Sequence, residues 1–186
     1  GSEMCIETGI KHVPTQELVA LAAPTVQFCK QQHIPCIIND DAEAAALLQA
    51  DGVHVGQSDC SIQQARAILG KSACIGVSAH NLEEARMAQQ GGADYIGCGA
   101  VFGSATKQDA TPLSRETLRT ICQGVSIPVV AIGGITAQNV QQLAGSGIQG
   151  IAVVSAIFGQ PDKTEAARQM HQLANQVAEV RNEHHT

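Results

Sequence analysis

The chain has 186 residues, of which 44% are hydrophobic and 15% are charged, and its formal net charge at pH 7 is -6. This length fits one domain, and the hydrophobic share excludes a disordered chain. The negative charge and the absence of a Lys/Arg cluster argue against a nucleic-acid surface. Aromatic residues make up only 2%, so we expect Ala, Val, Ile and Leu to fill the core, as in buried parallel sheets.

The cysteines and the hydropathy pattern bear on the compartment. Seven cysteines occur singly, without a CxxC pair, and predict neither a zinc site nor a disulfide framework. No apolar run reaches the roughly 18 residues of a membrane-spanning helix, and no signal-peptide pattern opens the chain. We therefore expect a cytoplasmic protein without nucleic-acid or membrane partners, and we interpret the Gly1-Ser2 start as a cloning scar.

The first 33 residues are the least regular part. Met4–Glu7 is the one stretch there with strand character, and Gln16–Gln32 predicts a helix interrupted by Pro24. Beyond them, short β-branched runs alternate with helical patterns, which is typical of βαβ units and a parallel sheet. We predict a single domain of α/β barrel type, with regular βα units over residues 34–162 and a helix and tail over residues 163–186.

Six strands are predicted in the regular part, and each is followed by a helix. The strands are Pro35–Asn39, Val53–Gly56, Cys74–Ser78, Tyr95–Gly99, Pro128–Ile132 and Gly150–Val154. The helices are Asp41–Ala50, Ile62–Leu69, Leu82–Gln90, Arg115–Gln123, Gln138–Ala144 and Lys163 to about Glu183. A loose internal repeat over residues 50–56, 93–99 and 147–153 places a turn directly before a strand in each case.

Two late turns have the character of a phosphate site. Gly133-Gly134 follows a strand and precedes a predicted helix, and Ser155 follows the next strand. Glycine lets backbone N–H groups approach an anion closely, and a helix start adds partial positive charge. Two adjacent turns of this kind favour phosphate binding, whereas either one alone could simply connect a strand to a helix.

Two carboxylates lie just beyond predicted strands. Asp40 and Asp59 each follow the carboxyl end of a strand, and such ends converge on one mouth in a parallel barrel. Two carboxylates combined with water and substrate oxygens suit Mg²⁺. The alternative is that each aspartate caps the helix that follows it.

Other polar groups surround the same strand ends. The long loop over residues 100–114 carries Ser104, Thr106 and Lys107, which are donors suited to phosphate oxygens. Ser78 follows another strand and could donate to a ligand, while His80 could equally orient the next helix. We interpret His54, in mid-strand, as a hydrogen-bonded core residue.

With these residues laid out, the chain resembles the thiamine phosphate synthase family, whose members are (β/α)₈ enzymes, from about Ile34 to Asp162. The family condenses 4-amino-5-hydroxymethyl-2-methylpyrimidine diphosphate with thiazole phosphate, and it releases pyrophosphate. Five of its motifs occur in the expected order. They are Ile37-Ile38-Asn39-Asp40, residues 51–59 (DGVHVGQSD), Gly76-Val77-Ser78-Ala79-His80, residues 131–135 (AIGGI) and residues 152–158 (AVVSAIF).

The resemblance implies a role for each matched residue. Asp40 and Asp59 would hold Mg²⁺ on the diphosphate. Ser78 and Lys107 would be catalytic, and the pyrimidine diphosphate would be bound by Lys11, Asn39, Ser78 and Lys107. The thiazole phosphate would be bound by Ser104, Thr106, Gly134, Val154 and Ser155.

The chain departs from the family pattern near its beginning. The resemblance implies that the first strand-helix unit of the barrel is missing, and residues 7–11 read Glu-Thr-Gly-Ile-Lys where the family has Gln-Leu-Arg-Glu-Lys. An incomplete barrel exposes a sheet edge that a covering element, a swapped segment or a second copy in a homo-oligomer would cover. Two rival functions stay open: a thiazole tautomerase using His80, and a catalytically impaired barrel that binds thiazole phosphate.

Overall fold

The structure is a computed structural model, and it describes residues 4–6, 13–103 and 112–179. Within these ranges the chain forms two compact units. The first runs up to Ser78 and includes Gln90–Asp94, and the second comprises Ala79–Gln89 and the chain from Tyr95 onward. None of the helices described has the length and apolar character needed to cross a membrane.

The first unit contains four parallel strands and the helices that connect them. Strand β1 pairs with β2, β2 with β3, and β3 with β4, all in parallel. In chain order the elements are β1 (Met4–Ile6), α1 (Thr15–Gln31), β2 (Cys36–Asn39), α2 (Ala42–Leu48), β3 (Gly52–Val55), α3 (Ile62–Leu69) and β4 (Cys74–Ala79, whose last residue belongs to the second unit).

The second unit contains three parallel strands, in which β5 pairs with β6 and β6 with β7. Its elements are α4 (Leu82–Gly91, whose last two residues belong to the first unit), β5 (Tyr95–Gly99), α5 (Arg115–Gly124), β6 (Val129–Ile132), a 3₁₀ helix (Val140–Leu143), β7 (Gly150–Ala152), α6 (Ser155–Phe158) and α7 (Lys163–Glu179). The predicted parallel α/β architecture is therefore confirmed within each unit.

Helix starts follow from local hydrogen bonds that the sequence encodes. The side chain of Asp41 accepts from the backbone of Ala44 and begins α2. Ser61 and Gln64 cap each other's backbone N–H groups at the start of α3, which is a capping box. Ser114 accepts from Thr117 and begins α5. The Asp41 and Ser61 caps thus begin α2 and α3 within a few residues of the ends of β2 and β3.

Two predicted elements differ from the structure by more than a shift of their ends. Pro24 does not interrupt α1, which is continuous from Thr15 to Gln31. Residues at four-residue spacing, such as Leu18, Ala22 and Val26, are buried along one face, and this packing compensates for the hydrogen bond that proline cannot make. The α-helix predicted over Gln138–Ala144 is wrong, because the structure has only one 3₁₀ turn there.

The repeated turn before alternate strands has a physical cause. Asp51, just before β3, donates its N–H to the Cys36 carbonyl at 2.9 Å and accepts the Cys36 N–H on its carboxylate at 2.7 Å. Asp94 holds Ile75 in the same way at 2.8 and 2.7 Å, and Gln149 holds Val129 at 2.9 and 2.7 Å. Each two-point latch fastens the turn to the amino-terminal end of an earlier strand.

We expect the Asp51 latch to contribute measurably to stability. Asp51→Ala removes the carboxylate that accepts the Cys36 N–H at the start of β2, which should lower the free energy of unfolding by about 1–3 kcal/mol. Asp51→Asn keeps an acceptor oxygen and should lose less than half of that. Urea denaturation measures the free energy of unfolding of the two variants. Equal losses in both would show that the hydrogen bond to Cys36 is not the source of the stabilisation.

Candidate functional site

The carboxyl end of β2 carries two of the predicted site residues in the first unit. Asn39 ends β2 and lies beside His54 of β3 in the strand register. Asp40 follows directly, with a φ of 65° that non-glycine residues rarely adopt. Its N–H donates to the His54 carbonyl at 2.8 Å. This bond fixes the backbone of Asp40 to the neighbouring strand, and the residue is exposed.

Asp59 lies in a tight turn after β3. One of its carboxylate oxygens, Oδ2, accepts the Gly56 N–H at 2.6 Å. A side chain at Gly56 would place a Cβ 3.0 Å from that oxygen, so the turn is close-packed around the carboxylate. The turn therefore orients Asp59 through one oxygen, while the residue stays exposed.

Neither aspartate caps the helix that follows it. The caps of α2 and α3 are Asp41 and Ser61, one and two residues further along the chain. The capping interpretation of Asp40 and Asp59 is therefore wrong. Both carboxylates are exposed at the ends of paired parallel strands.

The same region has a negative local potential. The pKa of the Cys60 thiol is raised, mainly by burial and then by the negative charge of Asp59. Asp41 makes a smaller contribution in the same direction. Hard carboxylate oxygens in a negative field fit Mg²⁺, which commonly uses one or two carboxylates and completes its shell with water and substrate oxygens. In the ranges that the structure describes, no cluster of three or more acidic, His or Cys side chains forms a fuller metal cage.

Ser78, near the end of β4, is held by two side chains from the β3 segment. Its hydroxyl is 2.9 Å from Nε2 of His54, and its carbonyl accepts from Nε2 of Gln57 at 2.7 Å. Sequence reasoning gave His54 only a structural role and did not single out Gln57. The structure shows why His54 reaches this strand end, since it pairs with Asn39 on one side and with Gly76 on the other.

In the second unit, the glycine pair after β6 accommodates another loop. A Cβ at Gly133 would lie 2.6 Å from the Ala100 backbone, and one at Gly134 would lie 2.5 Å from the Gly103 carbonyl. Both glycines also have positive φ values, 99° and 66°. The pair thus lets the segment after β5 pack closely against the end of β6, where the N–H of Val101 donates to the Ile132 carbonyl at 3.0 Å.

The remaining predicted phosphate contacts follow β7. Val154 and Ser155 are exposed, and Ser155 begins the four-residue helix α6. Strand β7 pairs with β6 so that Ala152 lies beside Ile132. The register therefore puts the turn containing Gly134 and the turn containing Ser155 at the same end of the two strands. The helix start predicted after Gly134 does not exist as an α-helix, so any anion there would rely on turn N–H groups.

His80 and Glu84 form a hydrogen-bonded pair at the start of α4. His80 Nδ1 is 3.0 Å from Glu84 Oε2, and the same oxygen accepts the His80 N–H at 2.8 Å. The side-chain amide of Asn81 donates from Nδ2 to the other carboxylate oxygen of Glu84, Oε1, at 2.7 Å. Burial acts to raise the pKa of Glu84, but the hydrogen bonds from His80 and Asn81 lower it below its ordinary value.

Four predicted site residues lie outside the described residues. They are Lys11, Ser104, Thr106 and Lys107. The structure thus places Asn39, Asp40, Asp59 and Ser78 at strand ends of the first unit, and Gly134, Val154 and Ser155 at strand ends of the second.

Known proteins resemble this chain over most of its length. Residues 4–157 match the family model described as thiamine monophosphate synthase. The thiamine-phosphate synthase of Chloroflexus aurantiacus is 42% identical over 180 residues, which cover 96% of this chain and 83% of the relative. That of Methanobrevibacter smithii is 44% identical over 158 residues, covering 85% of this chain and 76% of the relative.

A solved structure agrees with the sequence matches. The thiamine phosphate pyrophosphorylase from Pyrococcus furiosus superposes with a TM-score of 0.82 at 36% identity, and the match covers 90% of this chain and 81% of that one. This similarity extends over both sequence and fold.

Proposed function

Because this chain belongs to the thiamine monophosphate synthase family, we propose that it condenses 4-amino-5-hydroxymethyl-2-methylpyrimidine diphosphate with thiazole phosphate. The carbon–oxygen bond to the diphosphate breaks and pyrophosphate leaves. The thiazole nitrogen forms a new bond to the same carbon, giving thiamine phosphate. The enzyme is thus a transferase of thiamine biosynthesis.

The observation that carries the reaction to this site is the pair of exposed carboxylates at the ends of β2 and β3. Neither Asp40 nor Asp59 caps a helix, because Asp41 and Ser61 do so. Both have carboxylate oxygens, which suit Mg²⁺. When bound, Mg²⁺ would neutralise charge on the departing diphosphate. This reaction needs no protein nucleophile, so the chain mainly positions two substrates and stabilises the leaving group.

The polar groups of the first unit fit the pyrimidine diphosphate. Asn39 can donate or accept at the pyrimidine ring, and the Ser78 hydroxyl, oriented by His54 at 2.9 Å, can donate to the substrate. Lys11 and Lys107 would contribute positive charge to the diphosphate oxygens, and we assign Lys107 and Ser78 the catalytic roles.

The thiazole phosphate is assigned to the second unit and the long loop. Backbone N–H groups at Gly134, Val154 and Ser155 and the Ser155 hydroxyl suit phosphate oxygens. Ser104 and Thr106 would add hydroxyl donors. The close packing that requires glycine at residue 134 supports a turn whose backbone is held in one conformation.

The wider setting is proposed on the same basis. We assign the parallel strands to one TIM (β/α)₈ barrel domain of a cytoplasmic enzyme. Its partners would be the two small-molecule substrates, and a second copy in a homo-oligomer could cover an exposed sheet edge.

One assay tests the function. The chain is incubated with both substrates and Mg²⁺, and thiamine phosphate and pyrophosphate are quantified by chromatography. We expect equimolar products, and a chelator should abolish them until Mg²⁺ is restored. Binding of thiazole phosphate without product would instead support the catalytically impaired barrel.

A second candidate function rests on the His80–Glu84 pair. A histidine held by a carboxylate can move a proton, as a thiazole tautomerase requires. Such an enzyme has no diphosphate and no need of the two aspartates. Isomerisation of a thiazole carboxylate phosphate without Mg²⁺, lost in His80→Gln, would favour this alternative over condensation.

A further inference from the structure

Gln57 bridges two strand ends of the first unit. It is an exposed residue in the turn after β3, and its Nε2 donates to the Ser78 carbonyl at the end of β4 at 2.7 Å. The two residues are 21 positions apart, so the bond joins the turn to a strand that is remote in sequence.

The turn that Gln57 ties down is the one that carries Asp59. The Asp59 carboxylate accepts the Gly56 N–H at 2.6 Å. This hydrogen bond closes the turn over residues 56 to 59, and Gln57 is one of the residues of that turn. A displacement of Gln57 therefore moves the backbone on which the Asp59 carboxylate is held. Ser78 is also held through its hydroxyl by His54, just before the turn.

The start of α3 does not depend on this bridge. Ser61 and Gln64 cap the helix through their own reciprocal hydrogen bonds at 2.9 and 3.2 Å. The helix can thus keep its first turn when the Gln57 bond is absent, while the preceding turn loses its tie to β4. The bridge and the capping box are separable features of one short stretch.

We propose that Gln57 is a positioning residue that sets the Asp59 carboxylate relative to Ser78. This inference rests on the proposed function, in which Asp59 holds the metal and Ser78 contacts the pyrimidine substrate. The alternative is a purely structural role, in which the hydrogen bond from Gln57 to Ser78 contributes only about 0.5–1.5 kcal/mol to stability.

The test compares Gln57→Leu with Gln64→Leu, since both remove one hydrogen bond between an exposed glutamine and the backbone within eight residues of each other. Mn²⁺ serves as the probe, because it shares the oxygen ligands of Mg²⁺. Binding is followed by electron paramagnetic resonance of free Mn²⁺ with inorganic pyrophosphate present. Steady-state assays give kcat and KM for both substrates, and urea denaturation gives stability.

Gln57→Leu is expected to weaken Mn²⁺ binding about tenfold and to lower kcat about 10- to 100-fold, since small misplacements of catalytic groups have effects of that size. KM for thiazole phosphate should stay within about twofold of wild type, and Gln64→Leu should change stability alone. If Gln57→Leu leaves Mn²⁺ affinity and kcat unchanged, or if both variants lower them equally, the positioning role is overturned.

Asp59→Asn separates this inference from the proposed function. If Asp59→Asn binds Mn²⁺ as tightly as wild type, the metal assignment fails and the inference fails with it. If Asp59→Asn loses Mn²⁺ while Gln57→Leu retains it, the metal assignment stands and only the role of Gln57 is refuted.

Discussion

Gly52→Ala is expected to abolish or severely reduce folding. A Cβ at residue 52 would lie 1.8 Å from the carbonyl oxygen of Cys74 and 2.7 Å from its carbonyl carbon. These are backbone atoms of the adjacent strand β4, so no side-chain rotation relieves the overlap, and β3 and β4 must separate. We expect a loss of more than about 3 kcal/mol, which is a large part of the stability of a typical domain.

The matched control is Gly150→Ala. Gly150 also begins a strand directly after a latch residue, but the nearest atom to its Cβ would be a Val130 methyl at 3.7 Å, which is ordinary contact. Urea denaturation and soluble yield should show near-wild-type stability for Gly150→Ala. Similar stability of the two variants would show that the parallel pairing at Gly52 is looser than the geometry indicates.

Asp40→Asn and Asp59→Asn are expected to show the largest losses of activity among variants that fold. Each replaces a carboxylate that we propose as a metal ligand by a neutral amide, and should lower kcat by about 10²-fold or more, the range for removing one electrostatic contact to a transition state. The double variant should lose less than the product of the two single losses, because residues that act as a unit are not additive. The measurement is steady-state thiamine phosphate formation over a range of Mg²⁺ concentrations.

Asp41→Asn is the control for this prediction. Asp41 is adjacent to Asp40, but its side chain caps α2 and accepts the Thr15 hydroxyl at 2.8 Å. Asparagine is an equally good cap, so activity and its Mg²⁺ dependence should remain within about twofold of wild type. A comparable loss in Asp41→Asn would indicate that general negative charge, and not two particular ligands, attracts the metal.

The strands of this chain could be predicted because strands that are buried on both faces need apolar side chains at successive positions, and such runs are visible in the sequence. Cys36, Ile37 and Ile38 are at most 1% exposed, and buried parallel strands read as continuous apolar runs. The helix over residues 138–144 was not predictable in the same way. Its sequence has helix-forming residues, but Asn139 accepts the Thr136 N–H at 2.8 Å and closes a tight turn that leaves one 3₁₀ turn.

The site was partly predictable for a similar reason. Asp40 and Asp59 both come just after predicted strands. Their placement beyond the carboxyl ends of neighbouring parallel strands could therefore be predicted from the βα pattern. Which aspartate caps the helix could not be settled from sequence, because Asp40 and Asp41 are adjacent and both are suitable caps. The bond from Gln57 to Ser78 was also beyond reach, since it joins a side chain to a backbone carbonyl 21 residues away.

The three latches have a consequence for protein engineering. Asp51, Asp94 and Gln149 act at the amino-terminal ends of strands, whereas the candidate site residues that the structure describes lie near or beyond carboxyl ends. Within each unit, the groups that fasten the strands are therefore separated from those assigned to the substrates by the length of a strand. Substitutions that strengthen the latched ends should raise thermal tolerance with little of the usual penalty in turnover.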